Sequence, residues 1–93
     1  MMTREEAFIA LETIGTIIYS LSNEGTFKKD HTVVVTFAKP GVGIDKLKGS
    51  MWSPTGNLML TEHRWSKKWF LERLMDGRYT VMNPHPNEDM FIL

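Results

Sequence analysis

Residues 65–77, Trp65-Ser66-Lys67-Lys68-Trp69-Phe70-Leu71-Glu72-Arg73-Leu74-Met75-Asp76-Gly77, read as one short helix with both ends marked. Ser66 can accept a hydrogen bond from the free backbone N–H groups of the first turn. Gly77 can take the left-handed conformation that stops a helix. Trp65 before the cap and Phe70 after it have the spacing of a hydrophobic staple. At about 100° per residue, Phe70, Leu71, Leu74 and Met75 share one broad arc. Trp69 falls roughly opposite, beside Glu72, Arg73 and Asp76. The apolar arc does not account for this indole, which makes it the first candidate for an external contact.

Working outward, Thr3-Arg4-Glu5-Glu6 has capping-box spacing. Ala7, Leu11, Ile14, Ile18 and Leu21 then recur at helical intervals, which predicts a helix over 4–22 stopped by Asn23-Glu24-Gly25. The stripe also fits about two heptads of a coiled-coil seam. His31-Thr32-Val33-Val34-Val35-Thr36-Phe37 is β-branched and apolar through its centre, so it reads as an interior strand. Two short strands follow, near 48–53 and 58–61, joined by the turn chemistry of Ser53-Pro54-Thr55-Gly56-Asn57. Arg78-Tyr79-Thr80-Val81-Met82 alternates like a further strand, which Pro84 and Pro86 cannot continue. The predicted order is α-β-β-β-α-β: an α+β domain with helices packed on one face of an antiparallel sheet. Residues 83–93 form a proline-containing linker and an apolar tail, Met90-Phe91-Ile92-Leu93, expected to dock on its own domain or on another chain as an added strand.

Composition narrows the function. A chain of 93 residues makes one domain over 1–93, and its lack of cysteine excludes disulfides, thiolate metal sites and a thiol nucleophile. The formal charge of zero hides a pattern: −2 over residues 1–45, +4 over 46–82 and −2 over 83–93. A chain with no net charge is a poor candidate for avid, nonspecific nucleic-acid binding. No signal peptide is visible, and the apolar stretch 14–21 falls far short of the ~20 residues of a membrane span. A cytoplasmic protein with no membrane contact is expected.

Catalytic and cofactor patterns are weak. His31, His63 and His85 are scattered and lack helical metal-pair spacing, so no metal is expected. No Gly-x-Ser-x-Gly elbow occurs. Gly41-Val42-Gly43 with Lys48-Gly49-Ser50 fails the spacing of a phosphate loop, so no nucleotide cofactor is expected. The reading is a non-enzyme.

The α-β-β-β-α order, with Ser66-Lys67-Lys68 opening the last helix and His31 ahead of a strand, resembles the double-stranded RNA-binding domain. That resemblance implies phosphate contacts by Arg64, Lys67 and Lys68. This chain departs from the family at Trp69, Phe70 and Leu71, where the family packs small alanines, and in a longer region between His31 and Ser66.

The leading expectation is a protein-binding module with Trp69, Arg73, Trp52, Trp65 and Arg64 as contact residues. Trp and Arg dominate interface hot spots, and Trp69 and Arg73 are i,i+4 neighbours able to stack. In general character the chain is like the small inhibitors and adaptors of phages and mobile elements. A homodimer through helix 4–22 or the tail 90–93 is the alternative to packing the helix on its own sheet and the tail on its own domain.

Overall fold

Thr3 opens the first helix as a capping box requires, in a computed structural model that describes residues 1–38 and 46–82. Its hydroxyl accepts from the Glu6 amide at 3.1 Å, and the Glu6 carboxylate accepts from the Thr3 amide at 3.0 Å. This helix, α1, covers only Arg4–Leu11. The predicted continuation to residue 22 is replaced by a turn and a strand, β1, Ile17–Ser20.

The reason is local and tertiary together. Thr13 Oγ1 donates back to the Ile9 carbonyl at 2.7 Å, and Gly15 adopts φ 94°, which a side chain would resist. The Gly15 amide then donates to the Val35 carbonyl at 2.7 Å, which ties the turn to the sheet. Beyond it, β-branched Ile17 and Ile18 favour extended backbone. The spacing of Ala7, Leu11 and Ile18 is thus satisfied by a helix for the first two and a strand for the third. Ile14 and Leu21 are exposed. The continuous seam that a homodimer through helix 4–22 would need is absent.

The observed order gains one strand over the prediction: α1, β1, β2 (Thr32–Ala38), β3 (Lys46–Trp52), β4 (Leu58–Ser66), α2 (Lys67–Asp76) and β5 (Tyr79–Val81). The α+β class and the antiparallel sheet are as expected. The spatial order is β4-β3-β2-β1-β5, with every neighbouring pair antiparallel. β2 is central, in keeping with its apolar run. Residues 53–57 close the β3–β4 hairpin, where the Gly56 amide donates to the Ser53 carbonyl at 3.0 Å and Gly56 takes φ 88°. The proposed tail docking, the residues of the failed phosphate loop at 41–43, and His85 lie outside the described residues.

Alternation along the strands sorts the sheet into two faces. Ile18, Val33, Val35, Leu47, Met51, Trp65 and Tyr79 point inward and form one buried cluster with Ala7 and Leu11 of α1 and Phe70, Leu71 and Leu74 of α2. Phe27, from the β1–β2 connection, stacks on Phe70 with ring centres 5.8 Å apart and meets Tyr79 edge-on at 4.7 Å. Both helices cover this face.

Close packing on it depends on Gly49 in β3. A Cβ at this position would come within 2.8 Å of Val33 Cγ1 and of the Val34 carbonyl oxygen, and 3.3 Å from the Trp65 ring. The carbonyl belongs to the central strand and has little room to retreat. Gly49→Ala is therefore expected to cost about 1–3 kcal/mol. Equilibrium urea unfolding measures it; a neutral result would mean that β2 and β3 separate readily here.

Candidate functional site

Two surfaces bear on function, and they lie on opposite sides of the sheet. The first surrounds Trp69 on α2. Ser66 caps this helix by accepting from the Trp69 amide at 3.3 Å, and Gly77 ends it at φ 89°. The staple forms as well, with Trp65 and Phe70 ring centres 5.7 Å apart.

Trp69 is 37% exposed, yet much of its chemistry is used within the chain. The Arg73 guanidinium carbon lies 3.2 Å from the ring centre, and the indole N–H donates to the Tyr79 hydroxyl at 3.1 Å. Arg73 is buried and donates from Nε to Glu24 at 3.0 Å and from Nη1 to the Trp69 carbonyl at 3.0 Å. Arg78 donates to the same Glu24 carboxylate at 2.9 Å, and Ser22 Oγ does so at 3.1 Å.

Burial alone would raise the Glu24 carboxyl. Hydrogen bonds from Ser22 and Arg73 and the charges of Arg73 and Arg78 outweigh it and hold the group below its ordinary value. Burial also pushes the Tyr79 hydroxyl up, against the bond from Trp69. This network fastens the β1–β2 connection to α2. Arg73 is thereby occupied as a strut, and Trp69 offers outward only the part of its ring that Arg73 and Tyr79 leave free.

The second surface is the sheet face opposite both helices, which the described residues leave uncovered. Register places Ile17 opposite Val34, Val34 opposite Ser50, Tyr19 opposite Thr32, and Thr32 opposite Trp52. Met82 joins through its amide, which donates to the Ile17 carbonyl at 2.8 Å. Trp52 and Met82 are exposed, while Ile17, Tyr19 and Val34 are half-buried by one another. A groove of about 470 Å³ runs beside them, lined by Tyr19, Asp30, Thr32, Trp52, Pro54 and Met82 among others. The Tyr19 hydroxyl donates to Asp30, whose φ of 68° is unusual outside glycine. That bond pushes the Tyr19 hydroxyl up.

At the other end of the same face, Lys48 pairs with Arg64 across β3 and β4 and with Phe37 across β2 and β3. The Lys48 ammonium stands 5.8 Å from the centre of the Phe37 ring. Lys46, two residues along β3, is exposed on this side too.

The expected contact residues are therefore dispersed. Trp52 and Arg64 share the uncovered face, whereas Trp69 and Arg73 sit on the helical side. Trp65, expected at a contact surface, is only 9% exposed; it packs on Phe70 and on His63, whose ring is 4.7 Å away. Of the residues implied by the RNA-binding resemblance, Lys67 is buried and paired with Glu12 at 3.0 Å. Lys68 and Arg64 remain exposed. Tyr19, Val34, Phe37, Lys48 and Met82 were not singled out from sequence. The alternation Lys46-Leu47-Lys48 in β3 was the one usable signal for their side of the sheet.

Among the described residues, no three His, Asp or Glu side chains gather as a metal site would require, and no helix is long and apolar enough to cross a membrane. Comparison of the chain with protein-family models, curated proteins and solved structures finds no match.

Proposed function

We propose that this chain is a non-enzymatic binding domain, an inhibitor or adaptor that docks another protein on the uncovered face of its sheet. The observation that carries this reading is the one-sided layering. Both helices lie on one face, and the other presents Trp52, Met82 and Phe37 exposed around Val34, Ile17 and Tyr19. Contiguous apolar surface of this kind on a small domain marks an interaction site. The hydrogen-bonded strands fix the backbone from which these side chains project, which lowers the ordering cost of association. Trp52, with its ring at the rim of the groove, is the anchor.

Retention of host-lysate proteins on the immobilised chain, with and without nuclease, tests the reading. Wild type is expected to retain a protein that nuclease does not release. Trp52→Ala is expected to lose it while its thermal midpoint stays within a few degrees, because the ring is already partly in solvent. Retention unchanged in Trp52→Ala would remove the sheet face from the argument. Release by nuclease would favour a nucleic-acid partner held by Arg64 and Lys68.

A further inference from the structure

Charge is distributed between the two faces in a way that net neutrality conceals. On the helical side, Glu12 and Glu24 meet Lys67, Arg73 and Arg78 in ion pairs of 2.9–3.0 Å, and Asp76 pairs with Arg78. On the uncovered face, Lys46, Lys48 and Arg64 stand together at one end of β3 and β4, and among the described residues none of them forms an ion pair. Glu62, on the β4 bulge, is the nearest acidic residue along that strand. An apolar, aromatic field thus grades into a basic end that no described acid compensates.

We infer that the partner presents an acidic segment, with carboxylates seated on Lys46, Lys48 and Arg64 and an adjoining apolar side chain on Trp52 and Val34. The inference rests on the docking reading above and names its chemistry. Three cations that pair with no acid among the described residues attract a negative surface over about a Debye length and set the register in which the apolar part lands. A protein segment fits better than a nucleic-acid strand. The cations are confined to one end, and the rest of the face is aliphatic as much as aromatic, whereas a strand-binding groove carries positive charge along its length.

Fluorescence anisotropy with the full chain tests this. The probe is a labelled dodecapeptide alternating Glu with Leu and Phe. The comparison probes are the same peptide with Gln for Glu, and an oligo(dT) of equal length. The acidic peptide is expected to bind at least about tenfold more tightly than the Gln peptide, and raising salt is expected to shrink the difference. Lys48→Glu and Arg64→Glu are each expected to weaken it about tenfold, whereas Lys68→Glu on α2 changes it less than about twofold.

Equal binding of the Gln peptide, tighter binding of oligo(dT), indifference to both charge reversals, or no binding of the acidic peptide overturns the inference. If Trp52→Ala abolishes binding of both peptides while the reversals do nothing, docking on the sheet stands and the acidic partner falls. If Trp52→Ala is also silent, both fall.

Discussion

Phe70→Ala is expected to destabilise the domain by about 4 kcal/mol, within the range for removing a buried aromatic ring. Phe70 is fully buried and sits at the meeting point of three other rings. Its centre is 5.8 Å from Phe27, 5.7 Å from Trp65 and 5.4 Å from Tyr79. Those rings come from the β1–β2 connection, β4 and β5, so the cavity would open between elements that cannot all close on it at once. A domain of this size has about 5–15 kcal/mol in total, so the variant would be close to unfolding at body temperature. Equilibrium urea unfolding measures the loss from the shift in midpoint at constant slope. A loss under about 1 kcal/mol would mean that the four rings do not form a packed centre.

Glu24→Gln is expected to be nearly as costly, about 3 kcal/mol at neutral pH, with a distinctive dependence on acid. Side-chain exposure is 17% for Glu24 and 10% for Arg73, so removal of the carboxylate leaves a largely desolvated guanidinium with only the longer 3.6 Å contact to Glu72 as its ion pair among the described residues. Because the folded Glu24 carboxyl titrates below its ordinary value, its stabilisation is complete above the unfolded pKa and disappears as pH falls through the lower folded one. The difference between wild type and Glu24→Gln should therefore be largest near neutrality and shrink in acid, where wild type loses the same charge. Thermal midpoints across that pH range check this. A difference independent of pH would point to lost hydrogen bonding alone.

These two sites also show how far the sequence could be read. α2 was legible because its signals are local: Ser66, Gly77 and the Trp65–Phe70 staple each act within a few residues. Thr3 and Glu6 were legible for the same reason. The helix drawn through Ile14 and Ile18 failed because apolar intervals of three and four also arise by chance across a turn. Pairing of Ile17 with Val34, distant in sequence, decided the matter for a strand. Glu24 looked like part of a helix stop, and nothing near it in the chain announces Arg73 and Arg78 as partners. Trp52 was legible as a candidate, but its side of the sheet follows only from register with Thr32. Nothing local to Lys46 and Lys48 marks them, since their pairing with no described acid is a property of the assembled face.

The placement of β5 has a consequence for self-association. Of the described strands β5 comes latest in sequence, yet it pairs with β1, the earliest of them, on the far side of the sheet from β4. When this three-residue strand frays from its place, the β1 rim, Ile17–Ser20, loses its described hydrogen-bonding neighbour on that side. Such a rim templates pairing between chains. Protection of that rim against pairing between chains therefore rests on three residues, Tyr79–Val81.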